Sequence, residues 1–175
     1  MAIEDRTPSA LQLLLDKQEI HETLMRYCRG IDRCDEELLR SVYHPDAIDN
    51  HGQFNGKAAD FIPWALKSLQ RDERTTHFVG NELIELEGDV AWCESYLIAV
   101  HRRRAKDGST VDLSFGGRYV DRFERRQGSW KIAHRQVVFD WSRVDPVEKS
   151  FSLEQYVTGQ RTRADARYRG RGEKS

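Results

Sequence analysis

Asp32 and His77 are the two residues of this sequence best placed to move a proton. Asp32 follows Cys28 by four positions and Leu24 by eight, so on a helix it shares their apolar ridge, the ridge that should face a sheet. A carboxylate on such a stripe is desolvated, which raises its pKa unless a cation or hydrogen-bond donor is supplied. It is then either a structural ion pair, with Arg29 and Arg33 at hand, or a tuned catalytic group. His77 opens the run RTTHFVGN in phase with Val79 and Asn81, so these three side chains share one strand face, while Phe78 and Gly80 take the other. Alone, a histidine there reads as a surface or satisfied core residue. Backed by a carboxylate, its ring would be oriented and its proton affinity raised, the arrangement of general-base catalysis, about 10²- to 10⁴-fold in rate.

Tyr27, Tyr43, Tyr96, Tyr119 and His101 offer further proton donors or polar contacts, each with a plain packing alternative. Trp64, Trp92, Trp130 and Trp141 with Phe61, Phe78, Phe115 and Phe139 supply aromatic surface for a core, and together they suit an apolar, aromatic ligand. Arg135 is in strand phase with Val137, Phe139 and Trp141; facing inward, it needs an anionic partner or an electron-rich ligand group. His44, Asp46, Asp49, Asn50 and His51 lie close enough to suggest a metal. His44-Pro45-Asp46 reads first as a helix stop, however, and the remainder as a polar turn, so no metal and no cofactor is expected. GxGxxG, the phosphate-binding P-loop, HExxH and GxSxG are all absent, which leaves dinucleotide, phosphate-loop, zincin and hydrolase-elbow chemistry without support.

These residues need elements to hold them. Thr7-Pro8-Ser9 offers a helix start, and Ile20, Leu24, Cys28 and Ile31 recur at helical spacing, which predicts a helix over 9–31. Asp35 caps a second short helix that Pro45 ends, and the two pack as a hairpin. After the turn-rich stretch DNHGQFNG, residues 57–70 form a third helix despite Pro63. From Thr75 the period becomes that of strands: HFVGNELIEL, VAWCESYLIAVH, VDLSFGGRYVDRFER and WKIAHRQVVFDW. Short turn-like breaks predict a four-stranded antiparallel meander, and Gly116-Gly117 a bulge that curls it. The expected fold class is α+β: three N-terminal helices packed on a strongly curved antiparallel sheet, a cone-shaped barrel with an internal pocket. The domain is expected over residues 8–147. Residues 148–175 form an arginine-rich extension, polar and short of apolar residues, that frays or docks on a neighbour.

A chain of 175 residues fits one domain with one site. Lysine plus arginine number 28 against 29 acidic residues, a formal charge of -1, so no global field draws the protein to nucleic acid or a membrane. Three cysteines without a CxxC pair argue against a disulfide scaffold or structural zinc and suit a reducing cytoplasm. The acidic, polar start lacks an apolar signal region, and no run of about 18 apolar residues follows, so neither export nor membrane insertion is expected.

The runs YCRGIDRCDEELLRSVYHPDA, THFVGN, ELEGDVAWCESYLIAVH and GGRYVDRFERRQGSWKIAHRQVVFDW, in this order and spacing, resemble the SnoaL-like branch of the nuclear-transport-factor-2-like superfamily over about residues 10 to 145. The resemblance implies an α+β barrel, commonly associating with a second copy through its sheet. In the branch that includes scytalone dehydratase, bile acid dehydratase and hexachlorocyclohexane dehydrochlorinase, an Asp at the end of the first helix and a His at the start of the following strand form a catalytic dyad, and Asp32 and His77 stand at those positions. Tyr27 resembles the tyrosine of the bile acid enzyme, His101 falls near a second histidine of scytalone dehydratase, and Arg135 resembles a pocket arginine of the dehydrochlorinase.

The implied activity is that of a cofactor-independent lyase, a dehydratase or a retro-aldol C–C lyase, acting on a small hydrophobic, aromatic or polycyclic hydroxylated compound. Asp32, His77, Tyr27 and His101 would be catalytic, and Arg135, Tyr43, Trp64, Tyr96 and Tyr119 would bind substrate. A homodimer or homotrimer is expected, with no nucleic acid and no membrane as partner. The alternatives are an isomerase of the same fold, the non-catalytic small subunit of an aromatic-ring-hydroxylating dioxygenase, and a ligand-binding module.

Overall fold

In the computed structural model, which describes residues 9–148 and 154–168, the chain forms three helices and a six-stranded sheet. Helix α1 spans Ala10–Arg33, and its start is capped by the Ser9 side chain, which accepts from the Gln12 amide at 3.1 Å. It runs two residues past the predicted end, which carries Asp32 on its last turn. Cys34 in the left-handed region then stops it. Asp35 caps α2 (Glu36–Val42) as expected, accepting from the Leu38 amide at 3.0 Å. Gly30 permits the tight hairpin, since a Cβ there would stand 2.7 Å from Leu39. Helix α3 spans Ala58–Leu69.

The four expected strands are present as an antiparallel meander: β3 (Asp72–Glu87), β4 (Val90–Arg104), β5 (Thr110–Arg126) and β6 (Ser129–Pro146). The stretch expected as a helix stop and turn instead supplies two more, β1 (Tyr43–Asn50) and β2 (Asn55–Lys57). The sheet order is β2-β1-β6-β5-β4-β3, and β1 runs parallel to β6. The sheet is therefore mixed rather than purely antiparallel, and open, with β2 and β3 at its edges. Pro45 is tolerated because the β1–β6 ladder lapses between Tyr43 and Ile48, where no amide is required of it.

Two bulges reset which side chains face inward. The β3–β4 register shifts between Gly80 and Leu83, and Asn81 takes a φ of 49° there. Asn81 thus leaves the His77–Val79 face and is exposed, while Glu82 turns in to meet His21 of α1 at 2.9 Å. A second shift falls at Gly116-Gly117, as the glycines suggested. It turns Trp141 outward over Gly116, out of phase with Arg135 and Val137; a Cβ on Gly116 would meet the Trp141 ring at 2.1 Å.

The core lies between the helices and the inner sheet face, built on Ile20, Leu24, Phe61, Leu97, Phe123 and Ile132. Residues 154–168 make contacts back to their own domain. Arg161 donates to the carbonyls of Leu69 and Asp72, both at 2.9 Å, and to that of Asp32 at 3.4 Å.

Candidate active site

The last turn of α1 and the first half of β3 bring Asp32 and His77 together. Asp32 Oδ1 lies 2.8 Å from His77 Nδ1, and Asp32 Oδ2 accepts the His77 backbone amide at 3.0 Å. The two contacts set both the position and the plane of the ring. The His77 side chain is 8% exposed. Burial holds its pKa below the usual histidine value, and the Asp32 carboxylate pulls only partly the other way. The ring is therefore neutral at pH 7, with Nδ1–H donated to Asp32 and Nε2 left as the acceptor.

His77 lines a cavity of about 500 Å³, the size of a small-ligand site. Tyr27, Trp64, His101 and Tyr119 line it too. His101 stands edge-on to His77, with ring centroids 5.3 Å apart. It has its own carboxylate, since Asp72 Oδ2 meets its Nδ1 at 2.8 Å while Arg103 reaches Asp72 Oδ1 at 2.8 Å. Burial pushes the Asp72 carboxyl up, but His101 and Arg103 outweigh it and hold it below the usual range. Asp72 escaped the sequence reading. The hairpin register places it opposite Arg103, and that register becomes readable only once the shifts at Asn81 and between Asp72 and Arg74 are known.

Asp49 and His51, weighed in the sequence only as part of a metal cluster or polar turn, form a third pair. Asp49 Oδ1 meets His51 Nδ1 at 3.0 Å, and its Oδ2 accepts the Tyr43 hydroxyl at 2.6 Å. The i, i+2 spacing of these two residues is a strand signal, hidden by the polar composition around it. Tyr43 sits behind the cavity wall as a support for Asp49 and does not line the cavity.

Arg135 is wholly buried and its guanidinium is taken up by Asp121, at 2.8 and 2.6 Å. It lies between the rings of Tyr27 and Tyr119, 4.0 and 3.9 Å from their centroids. Burial opposes its charge and Asp121 outweighs burial, so its pKa stands well above the ordinary value. Burial pushes Asp121 up as well, against the pull of Arg135. The expected contact of Arg135 with substrate gives way to a place beneath the cavity, where it stacks on two of the wall's tyrosines. Burial also raises the hydroxyls of Tyr27 and Tyr119, which stay protonated donors. Tyr96 faces the opposite side of the sheet, half exposed, away from the cavity; β4 places Leu97, Ala99 and His101 inward and its even-numbered neighbours outward.

Among the described residues no three of His, Cys, Asp and Glu converge as a metal ion would need, and no helix is long and apolar enough to cross a membrane.

A family model for the SnoaL-like domain matches residues 12–136, and the chain belongs to that family. The uncharacterized protein Rv2910c of Mycobacterium tuberculosis is 26% identical over 138 residues, which cover 77% of this chain and 92% of the relative. Among solved structures, a type 2 hexachlorocyclohexane dehydrochlorinase, LinA, superposes with a TM-score of 0.70 at 18% identity, covering 85% of this chain and 100% of its own. A candidate scytalone dehydratase of Novosphingobium aromaticivorans superposes with a TM-score of 0.67 at 19% identity, over 79% and 97% of the two chains. At such identities the likeness is one of fold.

Proposed function

We propose that the protein is a cofactor-independent lyase acting on a small hydrophobic, aromatic or polycyclic hydroxylated compound. The observation that carries the reading is the His77 ring, kept neutral by burial and oriented at an apolar cavity by Asp32. Neutral Nε2 takes a proton from carbon or a hydroxyl, and Asp32 stabilises the imidazolium that forms. The same imidazolium then protonates the leaving hydroxyl, so the proton count closes without a cofactor. His101 and Tyr27 polarise the substrate oxygen, and Trp64 with Phe61 provides a flat wall for a ring. Among the described residues no Asp or Glu side chain lines the cavity, and the two arginines that do, Arg103 and Arg143, are each paired with a carboxylate, Asp72 and Asp145, which suits an uncharged ligand.

The outer sheet face exposes Phe78, Trp92, Tyr96, Ile98 and Trp141, which supports association with a second copy. Its test is the mass in solution by light scattering, a monomer counting against it. Three free cysteines fit a reducing, cytoplasmic setting. An isomerase differs only in where the proton returns. A dioxygenase small subunit is disfavoured by the intact Asp32–His77 pair.

Turnover decides. Wild type, Asp32→Asn and His77→Ala are assayed without cofactor against a panel of hydroxylated aromatic and steroid-like compounds. Turnover by wild type, lost in both folded variants, is expected. A wild type that binds panel members and converts none of them overturns the lyase reading in favour of a binding module.

A further inference from the structure

The cavity holds a carboxylate-backed imidazole that the lyase reading leaves unused. Asp49 is wholly buried, and both its oxygens are engaged, one by the Tyr43 hydroxyl and one by His51 Nδ1. A buried carboxylate is tolerated only with such partners in place. The His51 ring lies nearly parallel on Phe61, with centroids 4.6 Å apart and planes 25° apart, so its orientation is fixed. It lines the cavity with 24% of its side chain exposed. Because Nδ1 is tied to Asp49, Nε2 is the ring atom left to meet a ligand.

Three strands, β6, β5 and β4, separate β1 from β3 in the sheet, so His51, which directly follows β1, and His77 on β3 reach the cavity from different parts of the sheet. Tyr119 lies on β5, between β1 and β3 in the strand order. Its ring is 6.3 Å from that of His51, it lines the cavity, and its buried hydroxyl has no partner of good hydrogen-bond geometry among the described residues, with only the neighbouring Tyr27 hydroxyl interacting with it. A buried hydroxyl without a partner costs stability, on the order of 1–3 kcal/mol, and such a group is a mark of a ligand contact.

We infer that His51 and Tyr119 form a second site within the cavity, a receptor for an oxygen substituent, in which His51 accepts the proton of a bound phenol or enol. The O–H bond breaks, its electron pair stays on oxygen, and the proton goes to His51 Nε2. Asp49 stabilises the imidazolium, and the Tyr119 hydroxyl donates to the resulting oxyanion. The inference rests on the lyase reading for its place in a reaction and deepens it by naming the substrate class: a flat ring compound with an acidic hydroxyl that meets His51 while another part of the molecule meets His77.

The probe is 4-nitrophenol, whose anion absorbs visible light, in a buffer acidic enough to keep the free compound protonated. Calorimetry records binding separately. Wild type and His77→Gln are expected to generate the bound-anion absorption. In His51→Gln that absorption falls about tenfold or more while binding persists, and in Tyr119→Phe it falls less. Circular dichroism confirms that each variant is folded. Undiminished anion signal in His51→Gln, its loss in His77→Gln instead, or no binding by wild type overturns the inference. No turnover is read, so a protein that ionises the phenol yet converts no panel compound defeats the lyase reading and leaves the second site standing.

Discussion

Asp32 grips His77 at two points, the ring at 2.8 Å and the backbone amide at 3.0 Å, so one carboxylate fixes both a strand and the base it carries. Asp32→Asn keeps an acceptor for the amide but offers an NH₂ to the ring, which favours the tautomer with its proton on Nε2. We expect a loss of about 100-fold or more in kcat with little change in thermal midpoint, since the base would then carry a proton where it must accept one. Steady-state kinetics beside a melting curve separate the two effects; an equal loss of fold and rate counts against it.

The acid limb of the kcat/KM profile should lie below the usual histidine value of about 6.5, because burial lowers the His77 pKa and the neutral ring is the active form. The same shift has a stability consequence. Between 6.5 and the lower folded pKa, the unfolded chain binds the proton and the native one does not. The contribution is therefore full above 6.5 and is lost as pH falls through the folded value. His77→Gln should flatten this part of a stability-against-pH curve; an unchanged slope contradicts the assignment.

Asp121→Asn strands the Arg135 cation in a fully buried site, at an expected cost of about 3–5 kcal/mol. Replacing both, as Asp121→Leu with Arg135→Met, should cost less than the single change. Urea denaturation of the two variants checks the order, and a more stable single variant would reverse the argument.

Gly117→Ala should destabilise by about 1–3 kcal/mol, because the new Cβ would sit 2.2 Å from the Val138 carbonyl, a backbone atom that cannot swing aside. Thermal unfolding reads this directly, and a neutral result would mean the β5–β6 bulge is more yielding than its geometry implies.

Much of the scaffold was legible from the chain. The 3.6 spacing from Ile20 to Ile31 and the alternation after Thr75 mark the helical half and the meander, and the family resemblance brought Asp32 to His77. What stayed hidden has two causes. The first is composition: YHPDAIDN is too polar to look like a strand, so β1 went unseen, and with it the pairing of Asp49 and His51. The second is phase, because a single bulge inverts every later side chain on its strand. Asn81 and Trp141 were assigned inward for that reason, and Asp72 could not be set beside His101 by counting. Arg135 illustrates a further limit, since strand phase gave its direction but not the carboxylate waiting for it on β5.

Arg161 lies beyond residue 136, where the SnoaL-like match ends, yet its guanidinium ties together backbone carbonyls from the end of α1, the end of α3 and the start of β3. Those three elements carry Asp32, one wall of the cavity and His77. A shortened chain ending at Pro146 would retain all the cavity-lining residues while losing this cross-brace, so such a fragment would misrepresent the site of the longer chain. The tail is in that sense a built-in splint for the site, and fusion partners or affinity tags belong at the other terminus.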